Sequence, residues 1–220
     1  IRSARTIKFE ISDAKDIEAY GQNSGGYVVI TGASGATWVT DTSVVQTSGQ
    51  GSLTINWDTA TNPSATSYTV GTEQAKIAAF KFSASSQEGI KVTKLKLTNG
   101  GTITNSHYQN VQIYVDGAAV STGVVGSSSG GVITFQDENG LFTVPKGGNA
   151  VVMVKADFST AATNGETLKF YISSVSNVEI KGAQSNAKID SLAANIAITA
   201  VDTAAEATAQ TVKGYGNLTI

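Results

Sequence analysis

Strict alternation of apolar and polar residues runs through most of this 220-residue chain, and it limits the fold more than any other feature. Ile7, Phe9 and Ile11 alternate with Lys8, Glu10 and Ser12. The same period of two recurs at Phe80, Phe82 and Ala84, at Val111, Ile113 and Val115, and at Val152, Val154, Ala156 and Phe158. It returns at Leu168, Phe170 and Ile172. Successive side chains of a strand point to opposite faces, so each run predicts a strand with one buried face. Turn chemistry bounds the runs: Asn99-Gly100-Gly101, Asp116-Gly117, Glu138-Asn139-Gly140, Lys146-Gly147-Gly148-Asn149 and Asn164-Gly165. Asn-Gly and Asp-Gly adopt the positive φ angles that tight hairpins need. The expected class is all-β, an antiparallel β-sandwich.

Two stretches depart from this pattern. In 90–97 the apolar residues Ile90 and Val92 lie on one parity and Leu95 and Leu97 on the other. Either a β-bulge near Thr93-Lys94 shifts the phase, or both faces of the strand are partly buried. Ala-rich Asp202–Gln210 is the best helical candidate, but it is short, and a surface turn or irregular crossing fits it equally.

A repeat links the two ends of the chain. Residues 6–24, TIKFEISDAKDIEAYGQNS, match residues 167–185, TLKFYISSVSNVEIKGAQS, at an offset of 161 with 8 of 19 positions identical. Thr6, Lys8, Phe9, Ile11, Ser12, Glu18, Gly21 and Ser24 recur as Thr167, Lys169, Phe170, Ile172, Ser173, Glu179, Gly182 and Ser185. Ile7/Leu168 and Ile17/Val178 keep the same apolar face. GQGSLTI at 49–55 then returns as GYGNLTI at 214–220, in the same order along the chain. The second offset is 165, so a four-residue length difference lies between the two matches, and self-similarity in the same order marks a tandem architecture. The expected organisation is the C-terminal part of a preceding sandwich at 1–48, a complete repeat at 49–213, and the first strand of the next repeat, or an inter-subunit donor strand, at 214–220. Two sources would complete the partial unit: further repeats of a longer array, or strand addition by neighbouring subunits. The competing reading is a private domain at 1–48 that resembles 167–213 through convergent strand patterning.

Composition narrows the function classes. Charged residues make up only 15% of the chain, with a net charge of -2 and a sequence pI near 5.4. No basic run exists to neutralise phosphates, which argues against a nucleic-acid partner. No apolar stretch reaches the roughly 20 residues of a membrane-spanning helix. The sequence Ile1-Arg2-Ser3-Ala4-Arg5 does not read as a signal peptide, which fits a mature or excised segment as well as any other. With no cysteine, disulfides and thiolate metal sites are excluded.

Few groups present themselves for catalysis. His107, the single histidine, lies in the polar stretch 104–108 and reads as a loop residue without a nucleophile elbow. The carboxylate pairs Asp137/Glu138 and Asp13/Asp16 sit in turns, not across a cleft as glycoside hydrolysis requires. Calcium is the best cofactor candidate at 136–140 or at Asp13 and Asp16, but neither has EF-hand spacing. No catalytic, cofactor or metal residue is assigned. Gly123–Gly131 lacks the ending of a phosphate loop. Trp38, Trp57, Tyr114 and Tyr171 are candidates for a sugar-binding face, and Asn217 opens the sole N-glycosylation sequon.

The segments GSLTINWD (51–58), VGTEQAKIAAFKFSASSQEGIKVTKLKL (70–97), VQIYVDG (111–117), FTVPKGGNAVVMVKADFS (142–159) and TLKFYI (167–172) resemble the tandem repeats of prokaryotic surface-layer and giant cell-surface proteins. The resemblance covers about residues 50–200, and its motifs mark strands and turns. It implies Ig-like sandwiches and an extracellular, cell-surface location. The expected function is structural and non-enzymatic: a surface-layer or filament component whose partners are copies of itself or adjacent repeats. The alternative is an adhesin or carbohydrate-binding module, with a glycan as partner.

Overall fold

A computed structural model of the chain describes residues 10–11, 17–28, 39–40, 50–125 and 130–215. The chain divides into two compact units, Ile1–Gly49 and Gln50–Ile220. In the first, β1 (Glu10–Ile11) pairs antiparallel with β2 (Val39–Thr40), and a hairpin closes at an isolated Tyr20–Tyr27 bridge. Ile7 and Phe9 lie outside the described residues.

The second unit carries the alternating strands. In chain order they are β3 (Leu53–Trp57), β4 (Ser67–Thr69), β5 (Ala75–Ala84), β6 (Ile90–Asn99), β7 (Tyr108–Val115) and β8 (Ala118–Val125). There follow β9 (Val132–Gln136), β10 (Phe142–Val144), β11 (Asn149–Phe158), β12 (Thr167–Leu168) and β13 (Phe170–Tyr171). Last come β14 (Val178–Gly182), β15 (Lys188–Ile189), β16 (Ile196–Ile198) and β17 (Gln210–Lys213). One six-stranded sheet runs β16-β3-β5-β11-β7-β8. The other is centred on β6, with β9 and β10 along one edge and β13 and β14 along the other, and β15 beyond β14. A short third sheet, β12-β17-β4, completes the unit. The unit is a β-sandwich, largely antiparallel; β16 on β3 and β17 on β4 are parallel.

The core lies where the two large sheets face each other. Leu53, Ile55, Phe80, Phe82, Ile113 and Val152 from one sheet and Val92, Leu95, Leu97, Ile133 and Ile180 from the other are fully buried. Phe82 and Phe142 meet edge to face at 5.2 Å. Burial of each such side chain stabilises the fold by about 1.5–3 kcal/mol. The alternation holds as expected at Phe80, Phe82 and Ala84, along Val152–Phe158, and at Leu168, Phe170 and Ile172. In β7, Val111 and Ile113 are buried and Val115 half-buried. Asp116 (φ 48°) and Gly117 (φ 87°) form the two-residue turn between β7 and β8.

The phase change in β6 is a bulge. Against β14, Glu179 pairs with Lys94 but Ile180 pairs with Val92, which leaves Thr93 as the extra residue. Thr93 is buried, and its hydroxyl donates to the Glu179 carbonyl at 3.2 Å. One extra residue returns Leu95 and Leu97 to the face used by Ile90 and Val92. Asp202–Gln210 forms turns, with Gln210 opening β17. Buried Gln210 accepts from Thr66 N–H at 3.1 Å and donates to the Ser64 carbonyl at 3.3 Å. Those bonds and the burial of Val212 outweigh the weak helical preference of nine residues.

Candidate functional site

The sequence repeat is also a structural one. In the first unit Gly21 N–H donates to the Gly26 carbonyl at 2.9 Å, Gly25 N–H to the Gly21 carbonyl at 2.8 Å, and Gly26 N–H to Ser24 Oγ at 3.4 Å. In the second, Gly182 N–H donates to the Ala187 carbonyl at 2.9 Å, Asn186 N–H to the Gly182 carbonyl at 2.9 Å, and Ala187 N–H to Ser185 Oγ at 3.3 Å. Each bond of one hairpin is matched in the other at the same offset of 161. Gly25 (φ 64°) corresponds to Asn186 (φ 51°), two residue types that accept the left-handed region. A Cβ on either Gly21 or Gly182 would run into the serine hydroxyl three residues on, so this turn demands glycine.

What surrounds the two hairpins differs. The second is laid on β6, with Ile180 opposite Val92, Lys181 opposite Lys91 and Gly182 opposite Ile90. Just ahead of β6, the buried Glu88 carboxylate accepts from Ser185 N–H at 3.2 Å and from Ser185 Oγ at 3.1 Å. Gly182 makes room for it, since a Cβ there would also strike both Glu88 oxygens. Farther along, Lys94 Nζ donates to Glu179 Oε1 at 2.6 Å. That bond holds the Glu179 carboxyl below its ordinary pKa, against the opposing effect of burial. In the first hairpin no strand among the described residues lies along Ile17–Gly21, and Glu18 makes no ion pair there. Val28 is 49% exposed, whereas Ile189, its counterpart, is 1% exposed. The exposed Tyr20 and Tyr27 rings meet at 4.2 Å, tilted by 40°, where the second hairpin has Lys181 and Lys188.

The other candidates lie in loops and turns. His107 ends a short 3-10 turn, and its Nδ1 meets Glu166 at 2.8 Å. Glu166 also accepts from Thr163 N–H at 2.8 Å and Thr104 N–H at 3.1 Å. Burial works to raise its pKa, but the bonds from Thr163, His107 and Thr104 outweigh that and place it below the ordinary value. The cluster ties the 102–107 segment to the 163–166 turn. Asp137 accepts from Asn139 N–H at 2.8 Å within its own turn, and exposed Glu138 meets Lys181 at 3.5 Å. No group of three or more His, Asp or Glu among the described residues is arranged to hold a metal. Asp13, Asp16, Trp38, Gly126–Ser129 and Asn217 lie outside the described residues.

Among the aromatics, Trp57 stacks on Phe80 at 4.8 Å, and Tyr171 is half-buried. Tyr114 lies in a groove of about 450 Å³ with Thr61, Lys76, Asp116, Met153 and Lys155. Lys155 Nζ sits 3.8 Å from the centre of the Tyr114 ring, and the Tyr114 hydroxyl bonds Gln74 and Gln112. Sequence reading singled out Glu179, Gly182 and Ser185 as recurring residues but not Glu88, Lys94 or Glu166. Only pairing across 59 or more residues brings those three to their partners. Family models, curated proteins and solved structures all return no match to this chain.

Proposed function

We propose that the chain is a stretch of a structural cell-surface protein, a surface layer or extracellular filament built from Ig-like β-sandwiches joined end to end. The observation that carries this reading is the hairpin copied at an offset of 161 with its hydrogen bonds intact. A turn repeated in both sequence and geometry supports tandem duplication over convergent patterning. Neighbouring units of such arrays bury each other's faces, and a low charge density favours close lateral contact. The Glu166 carboxylate, held by His107, Thr163 N–H and Thr104 N–H together, supports a role in tying two loops. Trp57 and Tyr114 are already engaged by Phe80 and Lys155, which favours the array over a carbohydrate-binding module with a free aromatic platform.

Antibodies raised against this chain test the reading on the cells that make it. Immunogold labelling of intact cells should mark the surface, and immunoblots should reveal a polypeptide several times 22.6 kDa. Labelling confined to the cytoplasm would overturn the surface assignment. A native species of 22.6 kDa would replace the array with a self-assembling subunit. In that case deletion of 214–220 should abolish polymer formation.

A further inference from the structure

Of the positions shared by the two hairpins, three lie beyond residue 173: Glu18/Glu179, Gly21/Gly182 and Ser24/Ser185. In the second unit all three meet one segment. Glu179 holds Lys94, Ser185 donates twice to Glu88, and Gly182 leaves the space that Glu88 fills. The turn's internal bonds account for the glycine and the serine. They give no reason for a glutamate at position 18. A strand laid along the hairpin as β6 lies along β14 accounts for it.

We propose that the Ile17–Val28 hairpin is a docking site for an extended protein segment of the type Glu-Gly-Ile-Lys-Val-Thr-Lys-Leu, as found at 88–95, contributed by another repeat unit. The register follows from the second unit. The donor's glutamate accepts from Ser24 N–H and Oγ–H, its isoleucine lies beside Gly21, and its valine beside Ala19. Its second lysine pairs with Glu18, and its leucine lies beside Ile17. Ile17 and Ala19 supply the apolar side. Both edges of β6 are occupied in the second unit, so the donor is the corresponding strand of a different repeat, which this hairpin completes as β14 and β15 complete the second unit. The source of the donor rests on the array reading. The chemistry of the socket does not.

The test is a fluorescence-anisotropy titration of labelled peptide 86–97, Ser-Gln-Glu-Gly-Ile-Lys-Val-Thr-Lys-Leu-Lys-Leu, with the full 220-residue protein. Saturable 1:1 binding is expected. Glu88→Gln in the peptide, or Ser24→Ala in the protein, should weaken it by about tenfold, as loss of a charge-assisted hydrogen bond does. Glu18→Gln should weaken it by about two- to fivefold, and Ser185→Ala should leave it unchanged. Absence of saturable binding, or binding indifferent to both Glu88→Gln and Ser24→Ala, overturns the proposal. The peptide substitution leaves the protein intact, so misfolding cannot produce that result. Peptide binding without surface labelling of cells would sink the array reading alone, and surface labelling without peptide binding would sink the socket alone.

Discussion

The two hairpins, at 17–28 and 178–189, share a backbone and differ in company. Both close with the same bonds around a glycine and a serine, so the turn itself is built from local chemistry. The second also has Glu88 against its serine, Lys94 against its glutamate and the core against Ile189. Local residues therefore set the shape of a hairpin, and a distant strand sets how firmly it is held.

The same substitution made at both sites should separate these contributions. Unfolding of the second unit can be followed through Trp57 in a Trp38→Phe background, and the stability of the first by native-state amide hydrogen exchange. The largest contrast is apolar: Ile189→Ala should destabilise the second unit by about 2–5 kcal/mol through a cavity, while Val28→Ala should cost less than about 0.5 kcal/mol. Equal losses would mean that the first hairpin is as well packed as the second. Next, Gly182→Ala should cost about 1–3 kcal/mol, because the new Cβ displaces both Ser185 Oγ and the Glu88 carboxylate. Gly21→Ala meets the serine alone and should cost less. Ser185→Ala strips a buried carboxylate of one donor and should cost about 1–2 kcal/mol, against a few tenths for Ser24→Ala.

The smallest contrast is in pH dependence. Glu179 has a folded pKa below the ordinary glutamate value, chiefly through its bond from Lys94. Its contribution is therefore present above that value and fades as pH falls through the lower, folded one. The pair with Lys94 is partly exposed, so Glu179→Gln should remove only about 0.2–1 kcal/mol of acid-dependent stability. Glu18→Gln removes no ion pair, because Glu18 has none among the described residues. Glu166 is shifted in the same direction as Glu179 and should account for a further part of the acid-dependent stability.

The strands were legible because burial on one face imposes alternation, as along Val152–Phe158, and because Asp116-Gly117 can make little else than a tight turn. The bulge at Thr93 was half legible: alternation revealed a change of phase, but only pairing with β14 shows the extra residue. The parallel pairings of β16 and β17 left no such trace, since three- and four-residue strands are too short for a period to emerge. Asp202–Gln210 has a helical composition that long-range bonding of Gln210 overrides. The repeat marked Glu179, Gly182 and Ser185 as a set, yet their shared neighbour emerged only from the fold. Glu88 has no counterpart within the first unit's sequence to compare with.

Amide hydrogen exchange on the intact chain, resolved by residue, tests most directly whether the two hairpins differ as described. Amides of 178–182 and 187–189 should exchange only with opening of the whole sandwich, and those of 17–21 and 26–28 through local opening, orders of magnitude faster. Equal protection at both hairpins would contradict it, because the first would then already have the strand that only the second is seen to possess.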